Sequence, residues 1–436
     1  MAASDVVVGV DVGTGSARAL AVARDGRVVA RASAPFAGRA SWPPGQADPN
    51  AWRAALDEAL MSLGVAPAAL AIGSQSPTTV PLDGRFALTV RHPAGITLSP
   101  HEQHLAQRDV LATRDVCQLW DWLLRSLGAD AVQTRWPGDP SLDGYGTLRR
   151  TGEVVGSASG EWGVPAGTPL VGGAQDAYLA FWAGGTDEPG RAVDPGGRTG
   201  GLAVAVDAGS RPDGMYALVS AAPGVDVVGG PVAAHGLMLE WLSSLTGLDE
   251  GSLLSLAAEV PPGAGGVVVL PYLEGERAPR WNRDLRAEIV GLGSEHTRAH
   301  VARAALEGAA YGLRHIADSL RDAGVAIDVV VCGGAPARSR LWCEIKASVL
   351  GVPVEVPSEP DLAAYGAALA AGAGIGWWPR PGSPSARTGA WPRPSTTIVD
   401  PVADAAYERG YSQFVALGDA AVARLSKEPP CPTPTA

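Results

Sequence analysis

The sequence predicts an α/β protein of two domains, each with a strand meander ahead of its helices. The chain has 436 residues, which is long enough for two separate hydrophobic cores. A β-branched run over 6–10 opens a series of short strands with tight glycine turns, which is typical of an antiparallel meander. A glycine and threonine turn beside a strand recurs over 196–206. The second half is therefore predicted to resemble the first in kind.

The first strand ends in a turn whose residue types suit a polyphosphate. Asp11 ends the strand, and the turn that follows is Gly13-Thr14-Gly15-Ser16. Glycines let backbone N–H groups approach a phosphate closely, hydroxyls donate to it, and the carboxylate can hold the accompanying metal. An ordinary hairpin turn explains the same pattern equally well, because short glycine motifs have a real false-positive rate.

Two common nucleotide-binding motifs are excluded. A dinucleotide fingerprint needs a third glycine and a following helix, whereas here Arg18 begins a second strand. A P-loop needs a lysine after its glycines, and neither of the chain's two lysines, Lys346 and Lys427, follows a glycine loop.

Charge and composition restrict the class of partner. The net charge of −11 and the scattered arginines argue against non-specific nucleic-acid binding. The N-terminus enters a strand without a signal-peptide pattern, and the longest uncharged stretch, 363–378, is too short for a membrane span. The cysteines lie far apart without metal-ligand spacing, at 117, 332, 343 and 431. We therefore expect a cytoplasmic protein without a membrane partner.

A polar segment follows the next predicted strand of the first half. That strand covers 70–74, and Gln75-Ser76-Pro77-Thr78 lies just past its end, where α/β sheets bind ligands. A later strand over 170–173 leads into Asp176 and an apolar helix. The other predicted elements of this half are a helix over 50–63, a helical stretch over 98–128 and a loop over 135–147.

Turn residues over 184–190 predict a domain boundary. The predicted domains are 1–189 and 190–425, and the Pro-rich residues 426–436 are expected to be a disordered tail. The predicted elements of the second half are strands over 202–206, 267–270 and 328–332, helices over 231–246, 298–323, 338–350, 361–372 and 403–425, and a connecting strap over 377–394.

Four stretches in this order resemble the FGGY family of carbohydrate kinases: VGVDVGTGSARAL, GTPLVGGAQDAYLAFWAGG, PYLEGERAPRW and VVVCGGAPARSRLWCEIKASVLGVPV. The resemblance covers about residues 1–90 and 150–425, and the second half is most similar to xylulokinases. It implies two ribonuclease-H-like domains of the actin and hexokinase type around a central cleft. It further implies that ATP and Mg²⁺ bind mostly on the second domain and the sugar mostly on the first.

The resemblance also implies a role for individual residues. Asp176 matches the catalytic base that takes a proton from the sugar hydroxyl, and Asp11 would hold Mg²⁺. Gln75 and Ser76, together with Asp176, would contact the sugar. The residues expected to contact the nucleotide are Gly13, Thr14, Gly15, Ser16, Arg18, Thr199, Gly200, Gly333, Gly334 and Ala335.

Structural roles remain open for several of these positions. Asp176 directly precedes a helix, where Asp is a favoured N-cap, and Thr199 can be an ordinary strand-turn threonine. Glu276 and Arg277 are consistent with a surface ion pair. The histidines without a partner at metal-ligand spacing, which are expected to be structural or exposed, are His235, His296, His300 and His315.

The first domain departs from the family on the sugar side and is predicted to be shortened. The family's Trp-x-Asp-x-Arg stretch is missing after Leu82, where only Arg91-His92-Pro93 stands. The Gln-Met-His-Gly segment of xylulokinases is Gln75-Ser76-Pro77-Thr78 here, without the histidine. An ATP-dependent kinase for a pentulose, or for a related sugar or polyol, is the favoured function. The alternatives are a kinase-like protein with a changed substrate and a non-catalytic nucleotide-binding regulator, and a homodimer is left open.

Overall fold

The computed structural model describes residues 5–94, 100–141, 146–232 and 234–426. They form two compact units. Unit 1 is drawn from Met1–Glu188, Leu218–Val225 and Asp361–Ser395, and unit 2 from Pro189–Ala217, Asp226–Pro360 and Thr396–Ala436.

The elements are numbered along the chain. The strands up to residue 171 are β1 (Val6–Val12), β2 (Ser16–Ala23), β3 (Val28–Pro35), β4 (Gln46–Ala47), β5 (Leu70–Ser74), β6 (Thr79–Pro81), β7 (Ala87–Leu88), β8 (Val116–Gln118), β9 (Val132–Arg135), β10 (Thr147–Arg150), β11 (Val154–Ser157) and β12 (Pro169–Val171). The helices of this part are α1 (Pro49–Leu63), α2 (Pro100–Leu111), α3 (Leu119–Ser126) and α4 (Asp176–Gly184).

The remaining strands are β13 (Arg191–Asp194), β14 (Gly201–Asp207), β15 (Tyr216–Val219), β16 (Val225–Pro231), β17 (Val268–Leu270), β18 (Glu288–Val290), β19 (Val329–Cys332), β20 (Val354–Pro357) and β21 (Thr396–Val399). The remaining helices are α5 (Gly236–Thr246), α6 (Glu250–Ala258), α7 (Arg298–Asp322), α8 (Arg340–Leu350), α9 (Leu362–Gly374) and α10 (Ala405–Leu425). Short 3₁₀ turns cover Arg39–Ser41, Ala264–Gly266 and Ala335–Arg338.

Unit 1 is organised around β1, the fourth strand of a six-stranded sheet with the order β11-β12-β5-β1-β2-β3. β1, β2 and β3 form the predicted antiparallel meander. β5 pairs with β1 in parallel, and β12 pairs with β5 in parallel. Because these three strands run in the same direction, their carboxyl ends meet at one edge of the sheet, which is where such sheets bind ligands.

A helix from late in the sequence covers β1. A Cβ on Gly9 of β1 would lie 2.1 Å from both the Ala364 carbonyl oxygen and the Ala368 amide nitrogen of α9. A Cβ on Gly366 of α9 would lie 2.2 Å from the Leu179 carbonyl oxygen of α4. These close approaches of backbone hold α9 in unit 1, although the sequence-based division assigned residues 361–372 to the second domain. The boundary at residue 189 stays a prediction.

Unit 2 repeats the arrangement of unit 1. Its sheet contains the order β16-β14-β13-β19-β20-β21. β13 pairs with β14 in an antiparallel manner and with β19 in parallel, and β19 pairs with β20 in parallel. The carboxyl ends of β13, β19 and β20 therefore meet at one edge, as those of β1, β5 and β12 do. The predicted α/β class and the repeated meander are confirmed.

Several predicted segments differ from the structure. The helical stretch predicted over 98–128 forms, within its described residues 100–128, two helices separated by β8, because β8 pairs with β6 and interrupts the helix. The helix predicted from Pro231 begins at Gly236, since β16 extends to Pro231. The predicted tail, apart from residue 426, lies outside the described residues. Within the described ranges, no helix is long and apolar enough to cross a membrane.

Gly9→Ala should destabilise unit 1, because the added methyl group would overlap backbone atoms of α9 rather than a flexible side chain. Overpacking of this kind typically costs about 1–3 kcal/mol of unfolding free energy, which denaturant titration would measure. Gly312→Ala in α7 is the matched control, because its Cβ would meet only the Val232 side chain at 3.4 Å. We expect that control to be neutral or stabilising. Equal stability of the two variants would contradict the close packing of β1 against α9.

Candidate active site

The predicted site residues of unit 1 converge at the carboxyl edge of its parallel strands. Asp11 lies near the end of β1, Gln75 directly follows β5, and Asp176 is the first residue of α4 after β12. The Gln75 amide donates to the Val12 carbonyl oxygen at 3.1 Å, which holds the segment after β5 against the end of β1. The structure therefore brings together three segments that the sequence placed at strand ends.

The turn after β1 is a tight hairpin. The Gly13 amide donates to the Ser16 carbonyl oxygen at 3.2 Å, and the Phe36 amide donates to the Gly15 carbonyl oxygen at 3.2 Å. Thr14, Gly15 and Ser16 are half-buried, so their hydroxyls and backbone border solvent. The hairpin interpretation is correct as local structure, and it is compatible with the phosphate role because the turn presents the predicted donor groups.

Arg18 links the turn to a carboxylate that the sequence analysis missed. Its guanidinium Nη1 lies 3.5 Å from Asp11 Oδ2 and 3.4 Å from Asp361 Oδ1. Asp361 immediately precedes α9, and it joins this cluster only because α9 packs on β1. No local pattern in the sequence signals that contact, since the two segments stand at opposite ends of the chain.

Asp11, which is buried, and Asp176, which is half-buried, form an interacting pair of carboxyl groups. Burial raises the pKa of Asp11 to about 6, a rise that Arg18 opposes and Asp361 adds to. Burial, and then the charge of Asp11, raise the pKa of Asp176 to about 7. Each carboxylate therefore disfavours the ionised form of the other, as paired buried carboxyl groups do.

Asp11 fits a magnesium ion that arrives with a phosphate ligand. Its Oδ1 is buried and has no hydrogen-bond partner within the described part of the chain. No group of three or more His, Cys, Asp or Glu that could hold a metal occurs among the described residues. Mg²⁺ commonly takes one or two carboxylates and completes its coordination with substrate phosphates and water, and Asp11 can supply the carboxylate.

Asp176 is not the N-cap that the structural alternative proposed. The N-cap of α4 is Gln175, whose side chain makes no capping hydrogen bond, and Asp176 is the first helical residue. Asp176 Oδ1 accepts a hydrogen bond from the Ala177 amide at 2.8 Å. The carboxylate thus satisfies one N–H group of the first helical turn while lying at the carboxyl edge of the sheet.

α2 contributes a buried polar network that the sequence analysis did not identify. His104 Nδ1 lies 2.7 Å from Thr79 Oγ1 and 3.1 Å from Gln118 Nε2, and the Thr79 hydroxyl donates to Gln107 Oε1 at 2.7 Å. Burial lowers the pKa of His104 to about 3, so the ring is neutral. The region after Leu82 therefore contributes polar groups besides Arg91-His92-Pro93, and the loss of the family's sugar contacts there stays a prediction.

The predicted residues of unit 2 lie in two adjacent glycine turns. One turn follows β13 and contains Thr199 and Gly200, and the other, Gly333-Gly334-Ala335, follows β19. A Cβ on Gly196 would lie 2.3 Å from the Gly333 carbonyl oxygen, so the two turns touch through their backbones. Left-handed φ angles favour glycine in these turns at Gly196, Gly197, Gly200 and Gly334.

A fully buried ion pair lies at the start of both turns. Lys346 Nζ donates to Asp194 Oδ2 at 2.6 Å and to Cys332 Sγ at 3.2 Å, and both charged side chains are 0% exposed. Asp194 Oδ1 accepts from the Gly196 amide at 2.9 Å, and its carbonyl oxygen accepts from the Gly333 amide at 2.8 Å. Burial acts to raise the pKa of Asp194, but Lys346 and these neighbours hold it below its usual value.

His235 packs against the first of these turns. Its ring is fully buried, and Nδ1 lies 3.7 Å from Asp194 Oδ1. A Cβ on Gly200 would lie 2.4 Å from His235 Nδ1, so only glycine fits at residue 200. Burial, and then the charge of Lys346, lower the pKa of His235 to about 3. The ring is therefore a neutral packing group, as the expected structural role requires.

Glu276 is neither at the surface nor paired as predicted. It is 4% exposed, and its partners are Arg280 Nη1 at 2.9 Å and the Tyr272 hydroxyl at 3.2 Å. Arg280 also donates to Asp419 of α10 at 2.8 Å. The predicted Glu276–Arg277 surface pair is wrong, because the turn after β17 directs Glu276 inward toward Arg280. Through Arg280, the turn that carries Glu276 is therefore linked to α10.

Lys346→Met should destabilise unit 2 strongly, because it leaves Asp194 as an uncompensated buried charge. Breaking a buried ion pair from one side typically costs about 3–5 kcal/mol of unfolding free energy. The lone carboxyl would then have a folded-state pKa above its unfolded value. The variant should therefore regain stability as the pH falls and lose it as the pH rises. Denaturant titration between about pH 5 and pH 8 would measure this.

The matched control for that experiment is the double variant Asp194→Leu with Lys346→Met, which removes both charges. It should be more stable than Lys346→Met at neutral pH and should lack the added pH dependence. If the single and double variants lose the same stability at every pH, the charge of Asp194 is not the cause.

Comparisons with known proteins agree with this architecture. Residues 208–375 match the FGGY family of carbohydrate kinases, C-terminal domain. The glycerol kinase of Nitratidesulfovibrio vulgaris is 32% identical over 242 residues, which cover 53% of this chain and 48% of that protein. The chain thus spans about half the length of the curated relatives it matches.

Two solved structures are similar over almost the whole chain. The xylulose kinase from Rhodospirillum rubrum has a TM-score of 0.72 and 26% identity, covering 97% of this chain and 100% of that chain. The glycerol kinase of Plasmodium falciparum with ADP has a TM-score of 0.68 and 16% identity, covering 96% and 98%.

The similarity of fold confirms the predicted class, with two ribonuclease-H-like domains of the actin and hexokinase type. The shortening of the first domain stays a prediction. The resemblance inferred from four sequence stretches is also confirmed: residues 208–375 match the C-terminal domain of the FGGY family of carbohydrate kinases, and a xylulose kinase is among the similar solved structures.

Proposed function

We propose that this protein is an ATP-dependent kinase that transfers the γ-phosphate of MgATP to a hydroxyl of a small sugar or polyol. The observation that carries the proposal is the interacting pair of carboxyl groups, the buried Asp11 and the half-buried Asp176, beside a turn of glycines and hydroxyls. Phosphoryl transfer depends on positioning and charge neutralisation more than on covalent chemistry by the protein. These residues can supply both.

Asp176 acts as the general base in this proposal. Its carboxylate takes the proton from the attacking hydroxyl, and a base works best when its pKa lies near the working pH. A pKa of about 7, raised by burial and by Asp11, meets that condition. Gln75 and Ser76 follow β5 at the same sheet edge and are proposed to bind the sugar together with Asp176.

Asp11 holds the magnesium ion in this proposal, and the turn after β1 faces the β- and γ-phosphates. The bound Mg²⁺ supplies neutralisation of the charge on the phosphates. Thr14, Gly15 and Ser16 would donate backbone and hydroxyl hydrogens to the same oxygens, and Gly13, whose amide is bonded to the Ser16 carbonyl oxygen, would close the turn. Arg18, held between Asp11 and Asp361, adds a positive charge there.

The two glycine turns of unit 2 bind the rest of ATP in this proposal. Thr199 and Gly200 contact phosphate, and Gly333, Gly334 and Ala335 border the adenosine. Backbone contact between the turns and the presence of ADP in the Plasmodium falciparum glycerol kinase structure support this assignment. We assign the sugar side to residues 1–189 and the nucleotide side to 190–425. The cytoplasmic location, the absence of nucleic-acid and membrane partners, and a homodimer stay predictions.

The acceptor is proposed to be a pentulose similar to D-xylulose, or a related polyol. The similar proteins differ in their substrate, since the N. vulgaris relative is a glycerol kinase and the R. rubrum structure is a xylulose kinase. Within the network of α2, Thr79, His104 and Gln107 already satisfy one another, and Gln118 Oε1 is the one buried oxygen of these four side chains without a hydrogen-bond partner in the described part of the chain. A site with few unsatisfied donors and acceptors discriminates weakly between hydroxylated ligands.

Weak discrimination can be tested by measuring ATP consumption with xylulose, ribulose, xylitol, fructose and glycerol. Losing two or three polar contacts at about 1–1.5 kcal/mol each lowers kcat/KM by roughly one to three decades. We therefore expect poor and similar kcat/KM values across the panel. Efficient and selective use of xylulose would show that the α2 network rebuilds the sugar pocket. ATP binding without turnover on any acceptor would instead support the non-catalytic regulator.

Asp176→Asn should distinguish the proposed role of Asp176 as a base from its hydrogen bond with the Ala177 amide. An asparagine side chain can still accept from the Ala177 amide, so folding and ATP affinity should stay close to wild type. Turnover should fall by about 10²–10⁴-fold, as expected for loss of a positioned general base. In the wild type, kcat/KM should rise with pH through about pH 7, the pKa of Asp176. Wild-type turnover in the variant, or an unchanged pH profile, would show that Asp176 only supports the helix.

A further inference from the structure

One charged residue lies within the first glycine turn of unit 2, the turn after β13. None of the roles proposed for that turn involves it. Arg198 lies between Gly197 and Thr199, and it is the sole charged residue of 195–201. Its carbonyl oxygen accepts hydrogen bonds from the His235 amide at 2.9 Å and the Leu237 amide at 3.0 Å. The start of α5 therefore fixes the backbone from which the Arg198 side chain extends.

Arg198 forms an ion pair that can exchange. Its Nη1 pairs with Glu240 Oε2 of α5, and the side chains are 17% and 45% exposed. A pair with a partner this exposed is weak, because water screens it. A guanidinium is a planar fork of N–H donors that matches a phosphate as well as a carboxylate. A ligand with more negative charge can displace Glu240.

The other charged groups next to the turn are already neutralised or uncharged. Asp194 is paired with Lys346, and both are fully buried. His235 is neutral because burial lowers its pKa to about 3. Lys346 cannot reach a ligand on the outer side of the turn, since its side chain is 0% exposed and contacts Asp194 and Cys332. Arg198 is thus the positive charge that the turn itself can offer to an anion.

We propose that Arg198 binds the polyphosphate of the nucleotide and that Glu240 holds its guanidinium in place until the nucleotide arrives. The proposal rests on the proposed function, because it requires ATP phosphates at the turn after β13. A guanidinium stays charged at every relevant pH and matches phosphate oxygens with two parallel hydrogen bonds. Exchange of Glu240 for phosphate replaces a weak, half-exposed pair with charge-assisted bonds to a more highly charged group.

Calorimetric titration of the full chain with MgATP and with adenosine tests the proposal. Arg198→Ala should weaken MgATP binding by about tenfold to a hundredfold, the range typical of hydrogen bonds to charged groups, and should leave adenosine binding unchanged. Arg198→Lys should recover part of the loss, because lysine keeps the charge without the planar fork. Glu240→Gln, the matched control, should bind MgATP slightly more tightly than the wild type because the competing carboxylate is removed.

The outcomes separate this inference from the kinase proposal. If the wild type does not bind MgATP, the proposed function fails and this inference fails with it. If the wild type binds MgATP and Arg198→Ala binds it equally well, only the role of Arg198 is wrong. If Arg198→Ala weakens MgATP and adenosine by the same factor, the residue merely maintains the turn, which also overturns the inference. A loss of MgATP affinity in Glu240→Gln would show that the ion pair, rather than the free guanidinium, is required.

Discussion

The buried pair of Asp194 and Lys346 is the interaction on which the two glycine turns of unit 2 depend. Removing two charges from water costs several kcal/mol for each ion, and their mutual attraction offsets this only when the geometry and the remaining hydrogen bonds are good. Here Asp194 also accepts from Gly196 and, through its carbonyl oxygen, from Gly333. The pair therefore contributes little to net stability. Its main effect is to hold the two glycine turns in one conformation, because glycines would otherwise sample many backbone conformations.

Each unit places an aspartate where its first strand ends, and the two units use it in opposite ways. Asp194 is neutralised internally by Lys346, so its pKa falls and it cannot bind another cation. Burial raises the pKa of Asp11, and its ion-pair partner among the described residues, Arg18 at 3.5 Å, is itself shared with Asp361 and opposes that rise only in part. The same strand-end position is thus structural in unit 2 and open to a cation in unit 1. The difference arises from the partner, not from the aspartate.

Local signals in the sequence predicted the meanders and the polar residues at strand ends. Alternating apolar residues and glycine turns determine these features within a few positions of Asp11 or Gly333, so they are visible in the chain. The contacts of Asp361 with Arg18 and of Lys346 with Asp194 each join segments more than a hundred residues apart. No periodicity in the sequence indicates either contact. β8 was missed for a related reason, since its three residues become a strand only by pairing with β6. The sequence thus predicted which polar residues stand at the strand ends, but it contains little information on how their charges are balanced.

Charge balance connects the two carboxyl groups of unit 1 to each other. The pKa of Asp176 is raised first by burial and then by the negative charge of Asp11. Any ligand that neutralises Asp11 removes the second contribution and lowers the pKa of Asp176. By linkage, ionisation of Asp176 must favour that same ligand equally. Without a bound ligand, ionising both carboxyl groups is unfavourable because the two negative charges repel each other. Within the proposed reaction, binding of the nucleotide at Asp11 and ionisation of the base Asp176 are therefore one coupled equilibrium.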